Sequence, residues 1–309
     1  MPDISKLSGV SESNIKNVDS VLKANISNIS GQSFSTVTHF LDTYTGASLA
    51  FSFRQLSGSA TNCIDVRNQS GITATIGFSS GYLDTAALAN HCGSGSGQIS
   101  RWYDQSGNNR HASQSTTSQM PTIYSSGSLI EVNNKAALLF NNDRLLTASA
   151  QVHTGSFYGT SVIRTGSTIS NGQILNQDDS ASTPKVRIAQ YLRTGSAGTT
   201  ARVVVFNTSQ QNFKDNSPPL STNTQLQISA YADSTGTLES FDNGTTNGSS
   251  SYSGTLFTGS HEVAIGADAR ASAGGKFSGH IQEVILFDGD QSSNRSNIES
   301  DIDTYYSIP

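Results

Sequence analysis

The chain has 309 residues, enough for one large β domain with a small appendage. Charged residues make up 13%, hydrophobic residues 34%, and the formal net charge is −5. This excludes a nucleic-acid surface, since no Lys/Arg cluster could neutralise several phosphates, and no run of about 18 apolar residues exists to span a bilayer. The opening segment, Met1 to Val10, lacks the apolar stretch of a signal peptide, so release by cell lysis or a non-standard route is expected.

In chain order, residues 1–32 come first and carry an eleven-residue period that starts at Ile4, Ile15 and Ile26. Leu7, Val18 and Ile29 take the fourth place of each copy. Val10 and Val21 take the seventh, with Gln32 in the last copy. So short a repeat cannot bury its apolar side alone. A right-handed helical supercoil would suit the period, but Gly9, Gly31 and the many Ser and Asn residues disfavour helix. An arm that docks on a partner or oligomerises, as a trimer, is the expectation, set against a plain solvated tail.

From Ser33 to Pro309 the pattern becomes strand-like and stays uniform, which predicts a single domain over 33–309. Low hydrophobicity with high net charge would signal disorder; here Val, Ile, Phe and Tyr instead recur in short clusters between Gly/Ser/Asn turns. Strands are predicted at Ala47–Gln55, Cys63–Asn68, Thr73–Phe78, Gln98–Asp104, Thr122–Ile123, Ala136–Phe140 and Phe157–Arg164. Six more follow at Lys185–Leu192, Arg202–Phe206, Gln225–Ala232, Thr237–Asp242, His261–Ala267 and Gly279–Asp288. In Gln225–Ala232, Leu226, Ile228 and Ala230 share one face, and Asp242-Asn243-Gly244 reads as a tight turn. The class is all-β, with two packed antiparallel sheets.

Two helices interrupt the strands. One is expected over Asp84–Asn90 with Leu83, Ala87 and Leu88 facing inward. The other closes the chain, capped by Ser292 or Ser293, with Ile298, Ile302 and Tyr305 on one face. Cys63 and Cys92 are too few for a disulfide scaffold; one bridge between neighbouring strands and two separate buried thiols are both open.

Residues 83–114, with the run Tyr103-Asp104-Gln105-Ser106-Gly107-Asn108 after a strand, resemble a segment of concanavalin-like proteins. That segment occurs in the catalytic domain of fungal α-L-arabinofuranosidases and in tailed-phage structural proteins. Residues 277–306 resemble the closing strand and terminal helix of laminin-G/concanavalin-like domains. The resemblance implies a concanavalin A-like jelly-roll β-sandwich with a short C-terminal helix, here preceded by a repeat arm. The Ile-x-Lys-Leu-x-Gly-Val repeats of that arm resemble the N-termini of phage virion accessory proteins.

The arabinofuranosidase resemblance also implies catalytic positions. Retaining glycosidases need two carboxyls about 5–5.5 Å apart. Asp268, after Ala264-Ile265-Gly266-Ala267, matches the acid/base position. The strand matching the nucleophile, Arg202–Thr208, holds Val204, Val205, Phe206 and Asn207 and no carboxylate, and the family's adjacent cysteine pair is absent. A turn-capping role for Asp268 is favoured over chemistry. Trp102, Tyr103, Asp104 and Asn108 form a candidate sugar site, the rings stacking and the polar groups binding hydroxyls. The plainer alternative, which is favoured, buries one ring and uses Asp104 to shape the turn.

Histidines 39, 91, 111, 153, 261 and 280 show no metal-ligand spacing and no CxxC exists, so a zinc site is not expected. No GxSxG elbow supports a nucleophilic triad. Calcium is a candidate at the acidic loops Asp178-Asp179 and Asp288 to Asp290; no other cofactor is expected. The resulting expectation is a non-enzymatic phage virion protein. Its arm would contact other virion proteins, and its sandwich would display a glycan-binding face towards a host surface. Alternatives are a glycoside hydrolase of arabinofuranosidase type and a bacterial cell-surface adhesin module.

Overall fold

The computed structural model describes residues 38–178, 187–196, 198–207, 211–215, 219–269 and 275–308, and the backbone of six two-residue strands between Lys6 and Ser33. The chain forms two compact units, Met1–His39 and Phe40–Pro309. In the first unit the eleven-residue period shows as three antiparallel strand pairs of one register. Lys6–Leu7 pairs with Val10–Ser11, Asn17–Val18 with Val21–Leu22, and Asn28–Ile29 with Gln32–Ser33. The described backbone of the repeats is therefore extended.

The second unit is a β-sandwich. Its principal strands are β1 (Ala47–Ser52), β2 (Asn62–Asn68), β3 (Thr73–Ser79), β4 (Gly97–Trp102), β5 (Ala112–Ser113), β6 (Thr122–Ser125), β7 (Leu138–Asn141), β8 (Leu145–Leu146) and β9 (Phe157–Thr165). They continue as β10 (Gly172–Asp178), β11 (Arg187–Gly195), β12 (Gly198–Phe206), β13 (Gln211–Asp215), β14 (Gln225–Ala232), β15 (Thr237–Asp242), β16 (Thr245–Ser251), β17 (Val263–Ile265) and β18 (Ser278–Asp288). One layer runs β16-β15-β14-β9-β18, with β1 and β7 sharing the far edge of β18. The other runs β13-β12-β11-β10-β17-β8-β5-β4-β2-β3. Strand β6 pairs with both β4 and β7 and joins the two. Every pairing is antiparallel, so alternate residues point into the space between layers.

That space holds the main core. Phe157 and Ile163 of β9, Leu226 and Ile228 of β14, and Val284 and Leu286 of β18 lie in the same buried cluster as Ile188, Leu192, Val203, Val205, Ile265, Trp102 and Ile99 of the opposite layer. A second cluster lies outside the first layer. There Tyr158 and Val162 of β9, Ile285 and Phe287 of β18 and Ala50 of β1 pack under α2 (Arg295–Tyr306) through Ile298, Ile302 and Tyr306. Helix α1 (Thr85–Cys92) starts at Asp84, whose Oδ1 accepts from the Ala87 amide at 2.9 Å.

Differences from the expected elements have local causes. Helix α2 begins at Arg295 after Asn294, not at Ser292 or Ser293, because the Ser292 amide and hydroxyl are engaged by Asp290 at 2.7 and 3.0 Å. Its buried face includes Tyr306, with Tyr305 only half-buried. Strands β10, β13 and β16 were not expected. The turn before β16 was, and Asn243 and Gly244 adopt φ of 48° and 74° in it, as a two-residue hairpin requires. Cys63 and Cys92 are free buried thiols.

His153 is buried beside the Phe157 ring, its Nδ1 accepting from the Gly155 amide at 3.3 Å. Burial pushes its pKa down to about 4, with the nearby Asp288 only partly opposing this. The folded state therefore holds the ring neutral over a range where the unfolded chain protonates it. This stabilisation is complete above the unfolded value near 6.5 and is lost as pH falls from there to about 4. The loss amounts to about 3 kcal/mol. His153→Phe should flatten the stability-against-pH curve by that amount across this window, read by denaturant titrations at several pH values. A curve parallel to the wild type would show that the ring does not titrate in this way.

Candidate functional site

The sheet β17-β10-β11-β12-β13 has an inner face in the core and an outer face that collects chemistry. Ala264, Asn176, Ala189, Val204 and Phe213 are direct cross-strand partners and form a row across five strands, about 19 Å wide at ordinary strand spacing. Their neighbours Val263, Ile265, Ile188, Val203 and Val205 point the other way, into the main core, which assigns this row to the outer face. Two residues further along β10, about 7 Å on, Asp178 returns to the same face and is buried. One register step to the other side, Tyr191, Arg202 and Asp215 lie abreast.

Asp268 reaches this face through a turn that only glycine can make. Gly266 has φ +87°, and a Cβ there would lie 2.3 Å from the Phe140 ring. Its amide donates to Ile174 O at 3.1 Å and its carbonyl accepts from Phe277 N at 2.8 Å. The chain then crosses β10, and the Ala269 amide donates to Asn176 Oδ1 at 3.0 Å. The Asp268 carbonyl accepts from Arg144 Nη1 at 3.4 Å, and Asp268 is 2% exposed.

At the far end of the face, Arg202 forms a two-pronged ion pair with Asp215, and its guanidinium lies 3.8 Å from the Phe213 ring centroid. Burial works against the Arg202 charge, but the hydrogen bonds and charges of Asp215 and Tyr191 outweigh it and raise its pKa. Phe213 itself is 47% exposed. A sugar-sized ligand arriving at this end would meet an aromatic edge and a fixed guanidinium–carboxylate pair.

The residues expected to stack on a sugar are divided by the structure. Trp102 is fully buried, its ring 5.0 Å from Phe53 and 5.7 Å from Phe51, and its Nε1 donates to Ser52 O at 3.4 Å. It is a core residue with no ring face for a ligand, a correction caused by the inward side of β4. Asp104 is engaged in the turn. Its Oδ1 accepts from the amides of Ala50 and Ser106 at 2.9 and 3.0 Å, and its Oδ2 from Ser106 Oγ and Arg110 N at 2.8 and 3.0 Å. Asn108 donates through Nδ2 to the carbonyls of Ala47 and Ser48, each at 3.2 Å.

Gln105 adds further ties: its Oε1 accepts from Leu56 N at 2.7 Å, and its Nε2 donates to Ser52 O and Arg54 O at 3.0 and 3.1 Å. The Asp-Gln-Ser-Gly-Asn run thus satisfies backbone groups of β1 and of the segment that follows it. Tyr103 and Asp104 line a cavity of about 200 Å³, shared with Asn62, Asn109 and His111. The Tyr103 hydroxyl donates to Asp65 Oδ1 at 3.1 Å.

Of the loops expected to hold calcium, Asp179 lies outside the described residues. Asp288 Oδ1 accepts from Thr154 N and Oγ1 at 2.7 and 3.0 Å, and Asp290 binds Ser292. Among the described residues no group of three or more His, Cys, Asp or Glu side chains is placed to hold a metal. No described helix is long and apolar enough to cross a membrane.

Fold and site together define an antiparallel β-sandwich whose outer face carries Asn176, Asp178 and the Arg202–Asp215 pair. Among solved structures it is similar to a GH54 α-L-arabinofuranosidase soaked with a cyclic sulfate inhibitor, with TM-score 0.63, 14% identity, and 85% of this chain and 64% of that chain covered. It is also similar to an arabinofuranosidase complexed with arabinofuranosyl-α-1,2-xylobiose, with TM-score 0.64, 15% identity, and 83% and 62% covered. This chain therefore spans less than two thirds of either protein. No protein-family model matches it, and no curated protein matches it in sequence.

The likeness corrects the expectation of a non-enzymatic domain, because this fold is one that houses glycoside hydrolases. The strand matching the nucleophile position still carries no carboxylate, while strand pairing places Asp178 and Asp215 on the outer face of the same sheet. The virion role expected from the N-terminal resemblance draws no support from these likenesses.

Proposed function

We propose that the domain is carbohydrate-active, binding a glycan over the outer face of β17-β10-β11-β12-β13 and cleaving an arabinofuranosidase-type glycosidic bond there. The observation that carries this reading is the passage of Asp268 onto the face that also bears Asp178, with Asn176 tying the two segments at 3.0 Å. Asp178, two residues along β10 from Asn176 and on the same face, is the partner carboxyl in this reading. Asp268 protonates the leaving oxygen as the glycosidic bond breaks, while the Asp178 carboxylate attacks the anomeric carbon. Water deprotonated by Asp268 then releases the sugar and restores both groups.

The test is hydrolysis of arabinofuranosyl-α-1,2-xylobiose, whose poor leaving group depends on proton donation. Asp268→Asn should slow release by roughly 100-fold or more while leaving the melting temperature and glycan affinity near those of the wild type. Equal, background-level release from both proteins ends the hydrolytic reading. Calorimetry with the same oligosaccharide then decides whether glycan binding survives it.

A further inference from the structure

Among the described residues away from the outer face, the most exposed aromatic is Tyr82, 52% exposed. It stands in the short strand Tyr82–Leu83, which pairs with the end of β3. Its ring stacks with that of Tyr305 from α2, centroids 5.9 Å apart and planes 11° apart. The Lys135 ammonium lies 4.2 Å from the Tyr305 ring centroid and 5.9 Å from that of Tyr82. These groups line a cavity of about 160 Å³ together with Thr85, Glu131 and Asn134.

The polar side of the cavity is rigidly presented. Glu131–Val132 pairs with Lys135–Ala136 across a two-residue turn, Asn133 and Asn134, with φ of 49° and 58°. That is the left-handed geometry of a tight hairpin, which Asn tolerates. Among the described residues, the side chains of Thr85, Glu131 and Asn134 have no hydrogen-bond partner. The cavity thus combines a half-exposed ring with a hydroxyl, a carboxylate, an amide and an ammonium whose hydrogen-bonding capacity is unspent. A flat apolar ligand would leave those groups unmatched. A sugar ring, with one C–H face and hydroxyls around its rim, satisfies both sides.

We propose that Tyr82, Tyr305, Lys135, Glu131, Asn134 and Thr85 form a second carbohydrate subsite, sized for one sugar ring, between the strand Tyr82–Leu83, the Glu131–Ala136 hairpin and α2. It rests on the reading of this domain as glycan-binding. Tyr82 supplies the stacking face, and Lys135 and Glu131 bind hydroxyls from either side. Its role is to hold a neighbouring part of the same polysaccharide and so raise the effective concentration of substrate at the outer face.

The test uses the full chain with isotope-labelled tyrosine, titrated with millimolar methyl α-L-arabinofuranoside, methyl β-D-galactopyranoside and methyl α-D-glucopyranoside. The expected result is a shift of the Tyr82 and Tyr305 ring resonances by at least one of these sugars. Tyr82→Ala should weaken that binding by roughly tenfold, Tyr82→Phe should retain it, and Asp268→Asn should leave it unchanged. The melting temperatures of the variants should stay close to the wild type, because Tyr82 is half-exposed. Sugar binding that depends on Asp268 but never moves the Tyr82 and Tyr305 resonances overturns the subsite and spares the glycan reading. No binding of any of these sugars, nor of arabinofuranosyl-xylobiose, to the wild type overturns both.

Discussion

Replacing Glu283 by alanine should destabilise the sandwich by roughly 3–5 kcal/mol, among the largest effects of any single change in this protein. Glu283 is 1% exposed on the side of β18 that faces α2. It receives both prongs of the Arg54 guanidinium, Nε at 2.9 Å and Nη2 at 3.0 Å, with Ser52 Oγ at 2.6 Å and the Tyr306 hydroxyl at 3.2 Å. Arg54 reaches on to Asp301 at 2.8 Å and sits over the rings of Phe40 and Tyr305. Removing the carboxylate leaves the buried guanidinium with only the part-exposed Asp301 and takes an acceptor from the Ser52 and Tyr306 hydroxyls. That penalty exceeds the modest net worth of the intact pair.

The denaturation midpoint should fall while the dependence on denaturant keeps its slope. Arg54→Met combined with Glu283→Leu should recover much of the loss, because no buried charge is then left without a partner. A Glu283→Ala protein within about 1 kcal/mol of the wild type would show that water or another group solvates Arg54 in the folded state. Because the network joins β1, β18 and α2, its failure should first loosen the helix. Earlier hydrogen exchange of α2 than of the β18 core would report this.

Trp102→Ala should cost about 3–5 kcal/mol and leave glycan affinity untouched at temperatures where the variant remains folded. The indole fills the space between Phe51 and Phe53 and satisfies its N–H on Ser52 O. Truncation removes both the apolar transfer energy and the packing of two neighbouring rings. Trp102→Phe should restore part of the stability, since a ring is returned but the N–H donor is not. The opposite pattern, normal stability with lost sugar binding, would restore Trp102 to a recognition role and place the sandwich interior elsewhere. The two readings are thus separated by one melting curve and one titration.

Much of the scaffold could be read from local pattern. The alternation of Leu226, Ile228 and Ala230 marks an inward face that the core confirms, and Asn243-Gly244 marks a hairpin whose φ values follow from side-chain size. Strand β10 escaped notice for a physical reason. On its outer face it carries Asn176 and Asp178, which read as loop residues, and a register shift between Gln173 and Leu175 brings Ile174 and Leu175 to the core side by side. Polar residues buried on the outer face and a bulge together erase the two-residue period. The same strand carries Asp178, which local pattern reads only as part of an acidic loop beside Asp179.

The Asp104 to Asn108 run was legible as a motif but not as a device. Only the fold shows that its side chains satisfy the backbone of β1 and the segment beyond it, some 50 to 60 residues away. Arg54 and Glu283, 229 positions apart, offered no signal beyond a charge inside an otherwise apolar strand.

By itself the sequence determined the all-β class, the turns, the terminal helix and the eleven-residue period, because each depends on neighbours a few residues apart. The tertiary structure alone decided which polar residues share a face, which ring is core and which is exposed, and where the segment after Gly266 crosses β10. Those are properties of strand register, and register is set by contacts between segments that are distant in the chain.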